Sequence, residues 1–203
     1  MRVVAVSQRV DDYPDRDERR DAIDQQLILF LHEIGICPVP VPNRLSFDIV
    51  KIDRKNTVFN WLDQIKVSAI VLSGGNDIGD FPERDELEMH LLDYAEKFKL
   101  PVLGICRGMQ ILGIRNNGKL IKVSGHVCVE HELIGEYKGI VNSYHNYCFK
   151  ACPNDYKILA LSEDCIEAIR HKNLPWEGWM WHPERYDKFK ACDIERARDL
   201  LNM

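Results

Sequence analysis

The sequence predicts an α/β fold with a central, mostly parallel sheet flanked by helices. Short β-branched apolar runs, VVAV, AIVL and VLGI, alternate with segments whose apolar residues recur at helical spacing. These runs are continuous and do not alternate with polar residues, as expected of strands covered on both faces. The later pair is broken by small residues, at Ser73-Gly74-Gly75 and at Gly104.

Val3 to Val6 reads as the first strand, followed by a charged stretch, DDYPDRDERRD, that contains Pro14. In AIDQQLILFLHEIG, residues Ile23, Leu27, Phe30, Leu31 and Ile34 fall on one helical face, and Gly35 supplies the C-terminal stop. PVPVP is a short extended segment, and VFNWLDQI a helix with Val58, Trp61, Leu62 and Ile65 on one side. A strand at Ala69 to Leu72, a helix in ERDELEMHLLDYAEKF and a strand in LPVLGI follow. A right-handed crossover makes those two strands parallel neighbours. RGMQILGI reads as a helix; KLIKVS, KGIVNS, YKILALS and CIEAIRH are strand-like pieces between polar turns, and DIERARDLLNM is a final helix. Without repeats, linkers or a composition break, residues 1–203 are expected to form one domain.

At 203 residues a chain can bury roughly 70% of its unfolded surface, so a full core is expected. With 45% hydrophobic and 29% charged residues the composition is that of an ordinary globular protein. The formal charge of −5 gives no electrostatic reason to expect nucleic acid or an anionic membrane as partner. The opening MRVVAVSQRV lacks the apolar core of a secretory signal, and no stretch approaches the roughly 20 apolar residues of a spanning helix, so a cytoplasmic location is expected. Seven cysteines without Cys-x-x-Cys spacing argue for free thiols. His126, Cys128 and His131 in GHVCVEH are residue types that bind zinc, but no second cluster completes a set of four, so a strand and loop without metal is the expectation.

Chemistry concentrates where strands end. SGGND, CRGMQ and WHPE each follow an apolar run, and in an open α/β sheet the carboxyl ends of the strands form the ligand-binding edge. Cys106 stands before a helix, whose N-terminal backbone potential favours a thiolate. Gly104 and Gly108 flank it at the spacing of a nucleophile elbow. His182 and Glu184, two apart around Pro183, would project to the same side of an extended segment and offer a base and the acid that orients it. Backbone N–H groups of Gly75 and Arg107 are candidates for an oxyanion hole. Taken singly, each segment reads equally well as a turn or a buried thiol; their joint occurrence at strand ends carries the functional reading.

The blocks VLSGGND, GICRGMQ, NSYHNY and GWMWHPE resemble those of the class I glutamine amidotransferases and their γ-glutamyl hydrolase relatives. The resemblance implies one type-1 amidotransferase domain, a class I glutamine amidotransferase-like fold with a nucleophile elbow, and hydrolysis of a γ-glutamyl amide through a glutamyl thioester. It makes Cys106 the nucleophile, His182 the general base and acid, and Glu184 its orienting partner. Gly74, Gln110, Ser143, Tyr144 and His145 would bind the glutamyl group, although His145 could equally be a histidine satisfied inside a packed loop. No metal or organic cofactor is implied. The partner is a small-molecule γ-glutamyl substrate, with a homo-oligomer or a pathway enzyme as further partners.

Cys-Arg-Gly resembles the hydrolase branch, including γ-glutamyl-γ-aminobutyrate hydrolases, more than glutaminase subunits that pass ammonia to a synthase. The compact segment after Gly113 resembles the branch that converts γ-glutamyl-CDP-amidate to cytidine diphosphoramidate in capsule phosphoramidate synthesis. Such a leaving group calls for cations. Arg9, Arg19, Arg20, Arg107 and Lys122 are candidates, with solvated surface charge as the competing reading.

Overall fold

A computed structural model describes residues 2–45 and 54–201. Its strands are β1 (Arg2–Val6), β2 (Arg9–Tyr13), β3 (Glu18–Ala22), β4 (Ile36–Pro40), β5 (Ala69–Leu72), β6 (Val102–Ile105), β7 (Leu120–Lys122), β8 (Val127–Gly135), β9 (Gly139–Tyr144), β10 (Tyr147–Phe149), β11 (Tyr156–Ser162), β12 (Cys165–His171) and β13 (Trp176–Trp179). The helices are α1 (Gln25–Glu33), α2 (Arg54–Ile65), α3 (Pro82–Phe98), α4 (Arg107–Arg115) and α5 (Ala191–Leu201). The predicted last helix ran on through Asn202 and Met203, which lie outside the described residues.

The main sheet runs β4-β1-β5-β6-β13-β12-β11-β8-β9. Its first five strands are parallel, and from β13 onward the pairing turns antiparallel. Residues of the parallel strands alternate between two cores, which is why they read as unbroken apolar runs. Val4, Val6, Ala69, Val71, Leu103 and Ile105 pack with Phe30 and Leu31 of α1 on one face. Ala5, Ile70, Leu72 and Val102 pack with α2, α3 and Met109 of α4 on the other. Each fully buried Leu, Ile, Val or Phe contributes about 1.5–3 kcal/mol, so these positions drive sheet assembly.

Two elements go beyond the sequence expectation, and a third, β4, meets the expected extended segment despite its prolines. The charged run forms a two-stranded ribbon, β2 with β3, in which Asp12 faces Arg19 across the strands and Asp11 faces Arg20. Asp12 and Arg19 pair across the strands at 3.2 Å, Arg9 with Asp11 and Arg20 with Glu18 pair within one strand, and Val10 is the ribbon's one buried apolar side chain, so periodicity gave no sign of it. β8 is a nine-residue strand that is mostly exposed and therefore lacks an apolar run. β4 accommodates Pro38 and Pro40 because it is an edge strand, paired on one side only.

Candidate active site

The carboxyl ends of β5, β6 and β13 meet at one edge, joined by parallel register between Leu72, Gly104 and Gly178. Cys106 closes β6 and caps α4 with φ 50° and ψ −104°, a backbone setting that costs a non-glycine residue about 1–3 kcal/mol and needs support. Support comes from the Cys106 N–H, which donates to the Trp179 carbonyl at 2.6 Å, and from the Gln110 N–H, which donates to the Cys106 carbonyl at 3.1 Å. A methyl on Gly104 would sit 2.5 Å from the Gly108 backbone, and one on Gly108 would overlap the Leu72 carbonyl oxygen. The two glycines thus let α4 lie directly on β5 and β6, as a sharp strand-to-helix turn requires.

His182 follows β13 after two residues. Its Nδ1 lies 2.7 Å from Glu184 Oε1. The expectation of an extended His182-Pro183-Glu184 is corrected: Pro183–Arg185 is a 3₁₀ turn, with Pro fixing its first position. The turn still brings the carboxylate to the ring. Burial alone would lower the His182 pKa, but the charges of Cys106 and Glu184 and hydrogen bonds to both outweigh it and raise the pKa to about 9. Gly74 packs beneath the ring, where a methyl would come 2.6 Å from Cε1. This edge therefore joins a thiol on a strained elbow, an imidazole bound to a carboxylate, and a glycine loop. Such a set can carry out acyl transfer by a nucleophilic cysteine.

Arg84 of α3 was missed in the sequence. It is 1% exposed and donates to the carbonyls of Gly75 at 2.6 Å, Ser73 at 2.8 Å and Gly74 at 3.0 Å, fixing the glycine loop from behind. It also pairs with Glu88 at 3.1 Å. Glu83, Arg84 and Glu88 look like a solvated charged face, but they lie inward on α3; the signal would have been charges in register with Leu87 and Leu91.

Arg107 completes this network through ion pairs with Asp85 and Glu88. Burial pushes the Glu88 carboxyl up, yet Arg107 and Arg84 together hold it below the usual carboxylate range. With its side chain 3% exposed and committed to two carboxylates, Arg107 is corrected as a side-chain contact for a charged leaving group.

Two adjoining cavities share Arg9, Gly75, His182 and Arg185. One, about 250 Å³, is lined also by Cys106, Arg107, Gln110 and Tyr144. The other, about 330 Å³, reaches from Gly74 and Glu184 to Asp11 and Asp24. Gln110, whose Nε2 donates to the Tyr147 carbonyl, and Tyr144, whose ring meets His182 edge-on at 5.6 Å, are where expected. Ser143 is turned away, donating to the His126 carbonyl at 2.6 Å. The His145 side chain is fully buried beside Glu167, which fits the packed-loop reading, while the residue still borders the smaller cavity. Among the cation candidates, Arg9 borders both cavities, whereas Arg19 and Arg20 are on exposed β3 and Lys122 borders a separate surface hollow. Arg185, stacked 4.5 Å over the Tyr144 ring, borders both cavities and was not anticipated.

Residues 40–194 match the glutamine amidotransferase class-I family, and the chain belongs to that family of amide-hydrolysing enzymes. It is 33% identical over 135 residues to the γ-glutamyl-CDP-amidate hydrolase of Campylobacter jejuni, covering 63% of this chain and 68% of that one. It is 31% identical over 157 residues to the glutamine-hydrolysing component of the Thermococcus kodakarensis GMP synthase, covering 72% and 81%. The fold is shared with a Thermotoga maritima glutamine amidotransferase at a TM-score of 0.61 and 16% identity, over 99% of this chain and 84% of that one.

Proposed function

We propose that residues 1–203 act as one type-1 amidotransferase domain that hydrolyses a γ-glutamyl amide, and that the amide is γ-glutamyl-CDP-amidate, cleaved to glutamate and cytidine diphosphoramidate. The observation that carries the reaction is Cys106 on its positive-φ elbow, interacting with an imidazole that Glu184 holds at 2.7 Å. The Cys106 thiolate attacks the side-chain carbonyl, and the oxyanion gathers N–H bonds from Gly75 and Arg107. His182 gives its proton to the departing nitrogen, leaving a glutamyl thioester. His182 then takes a proton from water, which attacks the thioester, and glutamate leaves as the thiol is restored. Glu184 stabilises the imidazolium throughout. The family's chemistry requires no metal or organic cofactor.

The substrate assignment is supported by the identity with the Campylobacter jejuni hydrolase and by Arg9 and Arg185 bordering both cavities, where a diphosphate would find two cations. The glutamyl group is assigned to the smaller cavity beside Gln110 and Tyr144, and the leaving group to the larger. A cytidine nucleotide substrate fits a cytoplasmic enzyme of capsule biogenesis; among the described residues, no helix is long and apolar enough to cross a membrane.

A second reading, a glutaminase component that delivers ammonia to a synthase, is favoured by the broader coverage of the GMP synthase relative. A parallel glutamate-release assay on glutamine, γ-glutamyl-γ-aminobutyrate and γ-glutamyl-CDP-amidate with the purified chain decides between them. Preference for the CDP-amidate, abolished by Cys106→Ala, is expected. Preference for either other amide overturns the substrate, and silence toward all three favours the ammonia-donor reading.

A further inference from the structure

Where β8, β9 and β12 come together, four donor side chains converge that the hydrolase chemistry does not use. His126 precedes β8, His131 lies on it, His145 follows β9 and Glu167 is on β12, and one ligand atom from each lies within 4.8 Å of all the others. The three rings pack at centroid distances of 4.6, 4.9 and 5.6 Å. His131, His145 and Glu167 are buried, while His126 is half-buried at the wall of a surface hollow.

The polar atoms here are poorly satisfied within the protein. His131 Nδ1 meets Glu167 Oε1 at 3.1 Å. His145 Nε2 approaches the same oxygen at 3.3 Å without the alignment of a hydrogen bond, and His145 Nδ1, His126 Nδ1 and Glu167 Oε2 have no protein partner. Each buried group left so costs about 1–3 kcal/mol.

The backbone is shaped to gather the donors. His131 lies five positions after His126, an odd offset that puts side chains on opposite faces of a regular strand. A bulge corrects this: Val127 faces Tyr144 and Val129 faces Ser143, with Cys128 as the extra residue at φ 56°. His126 is then tied to β9 through its carbonyl, which accepts from Ser143 Oγ at 2.6 Å and from the His145 N–H at 3.1 Å. The bulge also turns Cys128 outward, exposed, so the trio His126, Cys128 and His131 suggested by the sequence is replaced by three histidines and a glutamate.

We propose that His126, His131, His145 and Glu167 bind one divalent zinc-class ion, contrary to the expectation of a chain without metal. Three imidazoles and one carboxylate suit a borderline-soft ion, and four protein ligands close a tetrahedral shell, which defines a structural site and not a Lewis-acid one. A Zn–N distance of roughly 2.0 Å places donors about 3.3 Å apart, so loading draws the side chains inward by rotation. The ion then locks β8, β9 and β12 together next to Asn142 and Tyr144, and the hollow beside His126 gives it access.

The test is zinc titration of the chelator-stripped full chain in a Cys106→Ser background, which removes the competing thiol of the active site. One zinc per chain is expected, together with a rise in thermal midpoint. Cobalt should give the intense visible bands of a tetrahedral nitrogen–oxygen site, with no thiolate charge-transfer band. His131→Ala and Glu167→Gln should each weaken binding roughly 100-fold or more, and Cys128→Ser should leave it intact. If either buried variant fails to fold by circular dichroism, His126→Asn at the half-exposed edge carries the same expectation. Substoichiometric zinc, binding indifferent to these ligand variants, or a thiolate band lost in Cys128→Ser overturns the proposal.

Discussion

Asn142 holds the backbone of His182 from both sides: its Nδ2 donates to the His182 carbonyl at 2.8 Å, and its Oδ1 accepts from the His182 N–H at 2.8 Å. The antiparallel part of the sheet thereby fixes a residue presented by the parallel part. The Asn142 N–H in turn donates to the Tyr186 hydroxyl oxygen at 2.8 Å.

Asn142→Ala is expected to lower both stability and turnover. It leaves the buried His182 N–H unpaired, at about 1–3 kcal/mol, and leaves the His182 carbonyl with the Arg185 N–H, at 3.1 Å, as its remaining donor. Urea unfolding should report that loss. Turnover should fall more than substrate affinity, since the imidazole loses its position and not its chemistry. An unchanged kcat in a folded Asn142→Ala protein would show that the clamp does not position His182.

How much of this was legible beforehand depended on what holds each part in place. The parallel strands and α1 to α4 announce themselves because Val4, Ile70, Leu103 and their neighbours are selected for burial on both faces. Cys106, His182 and Glu184 were legible because they close such strands. Arg84, Asn142 and Arg185 were not: each acts on a backbone or ring far along the chain, and a lone Arg or Asn carries no spacing signal. The His126 and His131 pair was visible, but Glu167 and His145 reach it only through pairing of β8 with β9 and of β11 with β12.

Gly108→Ala should be among the most damaging single changes to this chain. Its new methyl would overlap the Leu72 carbonyl, which belongs to a central strand and cannot retreat. Overpacking against backbone costs about 1–3 kcal/mol or more, and here it also pushes α4 off the elbow. Loss of soluble protein, or a large fall in urea midpoint with lost turnover, is expected. Wild-type stability for Gly108→Ala would mean that α4 does not lie this close to β5.

Arg107→Met should act on the fold and not on substrate choice. The guanidinium pairs with Asp85 and Glu88, and removing it leaves Glu88, which is fully buried, with Arg84 as its remaining cation. Breaking a buried pair from one side typically costs about 3–5 kcal/mol. The ratio of kcat/KM between γ-glutamyl-CDP-amidate and glutamine should stay within a few-fold of wild type, because the oxyanion donor proposed at this position is the backbone N–H. A selective rise in KM for the CDP-amidate would return Arg107 to the leaving group.

The His182 proton sets a pH window for stability and turnover. Burial works against the imidazolium, but Cys106 and Glu184 overcome it and carry the pKa from 6.5 to about 9. Between those values the folded chain keeps a proton that the unfolded chain releases, so this contribution is complete below about 6.5 and vanishes as pH rises through about 9. Stability in urea should therefore carry this decline across that interval. Turnover should fall on the alkaline side as well, since in the proposed reaction a protonated His182 releases the amine. Imidazole nitrogen resonances followed by NMR should place the His182 titration near 9 in the wild type and lower in Cys106→Ala. A ring that deprotonates below 6.5 in the wild type, or at the same pH in both proteins, would show that the thiol does not hold the proton on His182.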